Sequence, residues 1–536
     1  MKRNTPTRRH VIKTGLAAAA SLAILDHAGA AEAGGKLRVL LNEADGSPMT
    51  GERLHLFHVR DMDGDPLPVH IATAPGRAVI TLPDEPIQLV TRLKIPNFGE
   101  VYCYADNGGN GYSQSGTVDF VTNAAATRLQ RVSKAMEAAK ATGFTSDVSI
   151  EQDANAAGYE KLSKGMHAGE VFAITLARHR ISQFRRPRRE CLFSGLSSQL
   201  PLGSKFLDPF KAIFNYAPTS WYIWDKEQPP EANINYSRMD QSVGIMAANG
   251  IAPKIFGYCY MMRGATPKWM QPADTSSSTN EVDAGDDSHG RFNAHWPYDR
   301  LRSEYQRVVR ETCSRYANRA HYVEVINEAH DKTNMWGLNH EQILEMTRLT
   351  CQAARQGSPT IQRVINNCCL WAEYAIHPNR DGSRRWSPYR YLEACIKAGA
   401  EFEVVGLQLY YPSYDLFEID RMLDRFTKLG KVIQVTEMST ASEDGLDAQS
   451  MRPHSSPPGW HGPWSEATQA DWAEGIYTLC YSKPQFQAIG WWDFVDLPEH
   501  FWPFGGLLRA DATPKLAYHR IAQLQRQWGV GPGAGR

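Results

Sequence analysis

Two glutamates stand where an apolar run meets a polar stretch: Glu328 closes HYVEVINE, directly after Asn327, and Glu437 closes KVIQVTE. Two carboxyls facing one another are the minimal apparatus for cleaving a glycosidic bond, because one must protonate the departing oxygen while the other attacks carbon or activates water. Their shared field is expected to raise the proton affinity of the acid and to leave the nucleophile ionised. Polar and aromatic groups end other apolar runs as well: Gln408 and Tyr410 in FEVVGLQLY, and Trp492 in FQAIGWWDF. Residue types alone leave solvated or metal-binding carboxylates open as readings. A metalloenzyme is the weaker of these, since the run ends carry Glu, Asn, Gln and Tyr rather than a His/Asp/Glu set at ligand spacing; neither a metal nor a cofactor is expected.

Groups on separate runs act together only if the fold brings the run ends to one rim. Eight apolar strand candidates begin at residues 191 (CLFSGLS), 212 (AIFNYAP), 253 (PKIFGYCYMM), 321, 361 (IQRVINN), 402, 431 and 486. Helical periodicity fills intervals between them, at 301–320, 341–355, 388–398, 416–429 and 465–479. The alternation predicts an α/β fold, a (β/α)8 TIM barrel over 190–530. An open doubly wound sheet would usually carry a GxGxxG turn after its first strand, and LFSGLSSQLPLG is not one. Reactive groups of a barrel lie at the C-terminal strand ends, which puts Glu328 on strand four and Glu437 on strand seven, across the mouth. The polar insertion 273–290 after strand three predicts either disorder or one wall of a cleft.

Upstream, residues 36–122 alternate and break often, as in KLRVLLNE, RLHLFHV, RAVITLP, PIQLVTRLKIP and VYCYAD, which predicts a small β-sandwich-like domain. Tyr102, Tyr104 and Tyr112 around its DNGGNG turn make carbohydrate binding one reading, with a purely structural sandwich as the other. Residues 123–189 read as a helical connector, helical over 123–142 and 153–180, and its basic end QFRRPRRE reads as a solvated linker. In the first 30 residues, Arg3, Arg8, Arg9 and Lys13 precede a short apolar stretch at 16–25 and a small-x-small Ala28-Gly29-Ala30. TRRHVIK resembles the twin-arginine export signal, which implies a periplasmic or extracellular protein. The stretch is far shorter than the roughly 20 residues a membrane span needs, so no membrane anchor is expected.

Lys+Arg 58 equals Asp+Glu 58, so no field favours a polyanion and nucleic acid is not an expected partner. Removal of the signal, with Lys2, Arg3, Arg8, Arg9 and Lys13 against Asp26, leaves the remaining chain slightly acidic. The 14 Trp and 22 Tyr suit flat faces such as those of sugars, and the expected partner is a polysaccharide or oligosaccharide bound by a monomer. The 9 Cys are scattered without a CxxC repeat, which predicts buried thiols, Cys368 and Cys369 among them as two separate core thiols.

Four segments in order resemble glycoside hydrolase family 10, the family best known for β-1,4-xylanases: YVEVINEAHD at 322–331, GLQLYY at 406–411, VIQVTEMS at 432–439, and WWDFVDLPEHFWPFGGLLRADATPKLAYHRI near the end. The resemblance spans about 190–530. It implies retaining, endo-acting hydrolysis with Glu328 as general acid and then base, and Glu437 as nucleophile, their carboxyls roughly 5 to 5.5 Å apart. It further implies that Asn327 hydrogen-bonds the sugar 2-OH, that Gln408 belongs to the same polar floor, and that Trp492 lies beneath the reacting sugar. A catalytically weak or inactive barrel that binds carbohydrate is the alternative.

The chain departs from the family after strand three, where Gly-His-Thr-Leu-Val-Trp-His becomes Gly257-Tyr258-Cys259-Tyr260-Met261-Met262-Arg263, although Thr266-Pro267-Lys268-Trp269 still resembles the family's next residues. Tyr410 takes the place of the histidine that supports the nucleophile; its hydroxyl can donate one hydrogen bond but carries no imidazolium charge. After strand two, the family's Glu-Asn and Lys-Trp features become at best Thr219-Ser220 and Ile223-Trp224. Sites built to bond a given hydroxyl discriminate strongly, so Tyr258, Arg263 and Tyr410 imply a glycan other than plain xylan, with an acidic or bulkier group near Arg263. The opposing reading pairs Arg263 with Asp225 or Glu227.

Overall fold

The computed structural model describes residues 35–149, 158–196, 205–219, 234–256, 259–262, 266, 270, 296–330, 334, 336–379, 382–452, 457–498 and 500–532. Residues 1–30, read above as an export signal, and the 273–290 insertion lie outside the described residues. Seven short strands come first: β1 (Lys36–Leu40), then helix α1 (Gly51–His55), β2 (His58–Asp61), β3 (Ile71–Ala74), β4 (Arg77–Thr81), β5 (Ile87–Ile95), β6 (Gly99–Ala105) and β7 (Gly116–Asp119). They form two sheets, ordered β3-β4-β1-β7 and β2-β5-β6. Alternation works as the period-2 rule requires: in β1 only Leu37 and Val39 are buried, and they join Ile80, Leu89, Leu93 and Val101 in one apolar core. The stretch RLHLFHV is not one strand; Gly51–His55 coils first and only His58–Asp61 pairs with β5.

Two helices follow, α2 (Phe120–Lys140) and α3 (Gly158–Ser182). Asp119 caps α2 by accepting from the Thr122 amide. Then strand and helix alternate: β8 (Leu192–Gly195), α4 (Leu207–Ile213), β9 (Tyr216–Pro218), α5 (Ser237–Ala248), β10 (Ala252–Ile255), α6 (Tyr298–Tyr316), β11 (Tyr322–Asn327), α7 (His340–Gly357), β12 (Gln362–Asn367), α8 (Pro388–Lys397), β13 (Val404–Leu409), α9 (Leu416–Thr427), β14 (Val432–Met438), α10 (Glu466–Tyr481), β15 (Phe486–Trp491) and α11 (Leu516–Trp528). The eight strands β8 to β15 pair in parallel and close into a barrel, β15 bonding β8 and β9 bonding β10. The sequence therefore folds as the expected TIM barrel. Every residue of β13 is buried, as parallel strands covered by helices on one side and packed inside on the other must be. Helix starts are written locally: Asn339 and Gln342 form a capping box on α7, Ser387 with Pro388 opens α8, and Ser465 opens α10.

Three local expectations need correction. Ala212 and Ile213 end α4 rather than begin a strand, and the third barrel strand stops at Ile255. Arg188, in the supposed solvated linker, is buried: it donates to the carbonyls of Tyr481 (2.7 Å), Lys483 (3.1 Å), Pro484 (3.0 Å) and Phe486 (2.5 Å), satisfying acceptors left over between α10 and β15. Nor do Tyr102, Tyr104 and Tyr112 present a free platform. All three are buried; Tyr102 stacks on Tyr414 at 4.8 Å, Arg131 covers Tyr104, and the Tyr112 hydroxyl bonds Asn123. The nine cysteines are free thiols; Cys368 faces His330, its sulfur 3.7 Å from Nε2, and Cys369 is half-buried.

The β-sheets are seated on the loops that leave the C-terminal ends of β12, β13 and β14. Backbone amides of Tyr102 and Glu100 donate to Ser413 (2.9 Å) and Gly459 (2.8 Å). At Gly99 the chains approach so closely that a Cβ would lie 2.4 Å from the Gly459 carbonyl, and φ is +139°, so only glycine fits. Charge reinforces the seat. Arg128 forks onto Asp415 at 3.0 and 2.5 Å, Arg384 meets Asp61, Arg390 meets Asp63 and Asp65, and Arg425 also meets Asp65. Glu170 of α3 accepts from the Leu416 amide and Trp460 Nε1, both at 2.9 Å, and contacts His461 at 2.6 Å.

Candidate active site

The ends of β11 and β14 bring Glu328 and Glu437 into one buried polar floor. Glu328 follows β11 with φ at +50°, a left-handed backbone that a side chain disfavours, held by its amide bonding the Asn366 carbonyl at 2.9 Å. Its carboxyl accepts from Gln408 Nε2 at 2.8 Å and from the Tyr260 hydroxyl at 2.9 Å. Glu437 accepts from Asn366 Nδ2 at 3.1 Å and from the Tyr410 hydroxyl at 3.0 Å. Each carboxylate is thus held by one amide and one phenol. Asn366 also donates to Asn327 Oδ1 at 3.0 Å and accepts from Thr436 Oγ1 at 2.6 Å, so it ties the two halves together. Gly406 on β13 makes this possible: a Cβ there would stand 2.4 Å from Asn366 Oδ1.

Beneath lies a buried ion pair, Lys254 Nζ to Glu324 Oε2 at 2.8 Å. Burial pushes the Glu437 carboxyl up to about 8, and the charges of Glu324 and Glu328 act in the same direction, against Lys254 and the Tyr410 hydrogen bond. Desolvation and the shared field thus act together to raise the proton affinity of Glu437, opposite in direction to the expectation that this field leaves the nucleophile ionised. Burial likewise holds Tyr260 and Tyr410 well above the usual phenol range, so both remain donors. Such a floor, with several carboxyls, one ammonium and neutral donors, is suited to moving a proton between carboxyls.

Of the residues singled out by sequence, Asn327, Glu328, Gln408, Tyr410 and Glu437 come together here. Trp492 is buried beside them, its ring 5.7 Å from Phe256 and clustered with Tyr410, Trp502 and Leu196. Tyr258, Arg263, Trp269 and Trp224 lie outside the described residues, as do Asp225 and Glu227. Sequence reasoning missed Asn366, Tyr260, Lys254 and Glu324. Asn366 was detectable by the rule that found Asn327, since IQRVINN is also an apolar run with a polar end. Lys254 and Glu324 are charges inside apolar strands, a pattern that calls for pairing. Nothing in the spacing marks Tyr260. Among the described residues, no group of three or more His, Cys, Asp or Glu is placed to hold a metal ion, and no helix is long and apolar enough to cross a membrane.

Comparison with known proteins gives a match of residues 218–524 to the family described as Glycosyl hydrolase family 10. No curated protein matches the chain. Similar solved structures include native xylanase 10B from Thermotoga maritima (16% identity, 66% of this chain and 97% of that one, TM-score 0.46) and a GH10 protein from Paenibacillus barcinonensis (16%, 65% and 97%, TM-score 0.48). Xylanase B from Clostridium stercorarium F9 is similar at 17% identity over 62% of this chain and 96% of that one, with a TM-score of 0.46. The family match covers more than half of the chain and takes in the barrel from the end of β9 onward, with both carboxyls: this protein belongs to glycosyl hydrolase family 10.

Proposed function

We propose that the protein is a retaining, endo-acting glycoside hydrolase that cleaves internal β-1,4 linkages of xylan or a related hemicellulose by double displacement. The observation that carries this reading is the pair of buried carboxyls, Glu328 and Glu437, each doubly hydrogen-bonded and joined through Asn366. In the first step ionised Glu437 attacks the anomeric carbon, the glycosidic C–O bond breaks, and Glu328 gives its proton to the departing oxygen. In the second, Glu328 takes a proton from water as that water's oxygen displaces Glu437, which leaves as a carboxylate. Asn327 binds the sugar 2-OH in this scheme, and Gln408 and Tyr410 hold the two carboxyls. Because burial raises the proton affinity of Glu437, the scheme requires that the proton of the pair stand on Glu328 and not on Glu437 before attack begins. Tyr258, Arg263 and Tyr410, which replace the family's histidines, direct the choice of glycan toward one with an acidic or bulkier substituent, and Trp224, Trp269 and Trp492 supply stacking faces.

The test is a screen of the purified chain, without its first 30 residues, on xylan, arabinoxylan, glucuronoxylan and β-glucan, with the anomer of the first product followed by NMR. Newly formed β-anomer is the expected result, and α-anomer would remove Glu437 from the nucleophile role. Binding without product would favour the second reading, a catalytically weak or inactive barrel that binds carbohydrate. Export through the twin-arginine route belongs to the same proposal; replacing Arg8 and Arg9 by Lys should hold the protein in the cytoplasm.

A further inference from the structure

Tyr260 stands outside every strand, in the stretch after β10, yet its hydroxyl reaches Glu328. We propose that Tyr260 is the positioning residue of Glu328, a role that rests on the hydrolase reading above: it aims the carboxyl that serves as acid and then base, and it favours the ionised form needed for the second step. A carboxyl with one partner can still turn about its Cγ–Cδ bond. Here Gln408 Nε2 holds Oε1 at 2.8 Å and Tyr260 holds Oε2 at 2.9 Å, from two different elements, so both oxygens are fixed.

The backbone secures the phenol in turn. Tyr260 pairs with Asn327 as a parallel bridge, the Asn327 amide bonds the Cys259 carbonyl at 2.8 Å, and Thr266 Oγ1 donates to the Tyr260 carbonyl at 3.1 Å. Donor and acceptor therefore ride on adjoining backbone. The two partners differ in chemistry: the amide nitrogen of Gln408 can only donate, whereas a hydroxyl both donates and accepts. Tyr260 thus keeps contact with Glu328 as carboxylate and as acid. The titratable groups around this contact are Glu324 on β11, Lys254 on β10, Cys368 after β12, Tyr410 after β13 and Glu437 on β14.

The experiment compares wild type, Tyr260→Phe and 3-fluorotyrosine at position 260 on two aryl glycosides, phenyl and 2,4-dinitrophenyl β-xylobioside. Phenol needs a proton to leave and dinitrophenol does not. For Tyr260→Phe, kcat/KM on the phenyl glycoside should fall about 10- to 100-fold, the effect of losing one hydrogen bond to a charged group. On the dinitrophenyl glycoside it should change by less than about threefold, since acid catalysis is not called on. The alkaline limb of the pH profile should move up in the Phe variant and down with fluorotyrosine, a stronger donor of unchanged shape. Equal losses on both glycosides, or limbs that stay in place, overturn the assignment. A wild-type protein inert on both overturns the hydrolase reading and this one with it, whereas an active wild type with unmoved limbs overturns this one alone.

Discussion

Buried charge is handled in opposite ways at the barrel mouth and at the seat of the β-sheets. At the seat, carboxylates face guanidinium groups: Arg128 on Asp415, Arg131 on Glu418 and Asp106, Arg425 and Arg390 on Asp65. Arg421, Arg131 and Arg128 hold the Glu418 carboxyl down to about 2 against its burial, whereas at Asp415 burial still outweighs Arg128 and raises the carboxyl. At the mouth, Glu328 and Glu437 are met by amides and phenols, and Glu437 is pushed up to about 8. Matched charge locks a geometry, because neither partner can be lost or titrated cheaply. Neutral donors fix orientation while leaving the proton free to move, which is what acid and base chemistry requires.

This contrast can be broken at either end. The largest effect is expected from Glu437→Gln, which should lower turnover by about 10⁴-fold or more while the protein still binds polysaccharide, as affinity electrophoresis would show. Arg128→Ala should come next, removing about 3–5 kcal/mol from the free energy of urea unfolding, since it strands Asp415 in the interior; a loss below about 1 kcal/mol would mean that the clamp does not secure the seat. Tyr410→Phe should cost about 10-fold in kcat/KM with little change in Tm, because it removes one donor and no charge.

Glu437 makes its own contribution to the pH dependence, opposite in sign to that of buried His58, whose proton affinity burial lowers. With the folded carboxyl near 8 and the ordinary value at 4.5, the folded protein keeps a proton that the unfolded chain has lost between those limits. Stability should fall as pH rises through that window, and the Tm advantage of Glu437→Gln over wild type should widen from pH 5 to pH 8. In the scheme above the pair works with one proton, so its loss near 8 should set the alkaline limb of kcat/KM, and activity that holds unchanged well above that pH would show that Glu437 does not carry the proton. The smallest effect belongs to Asp63→Asn: the Asp63 side chain is 72% exposed, so its ion pair with Arg390 should be worth less than about 0.5 kcal/mol.

The barrel was legible because parallel strands between helices read as near-continuous apolar runs, and the polar residue ending each run marks the rim. That pattern located Glu328 beside Asn327, Gln408, Tyr410 and Glu437. It misread places where a local signal was outweighed by a distant partner. Arg188 looks solvated in a basic run, yet four carbonyls from 481 to 486 enclose it. Tyr102 and Tyr104 look like a sugar platform until Tyr414, in the loop after β13, covers the first and Arg131 of α2 the second.

Strand and helix alternation, the caps that start the helices, and the residues that stand at the rim were all written in the chain, because period, capping chemistry and run ends are local. Which groups touch those residues was decided by packing alone. Asn366 spans Asn327 and Glu437, Tyr260 reaches Glu328 from the stretch where the family's two histidines are missing, and burial beside Glu324 raises the proton affinity of Glu437. Proton affinity and orientation depend on distance and desolvation, which exist only after strands far apart in the chain have closed into one barrel.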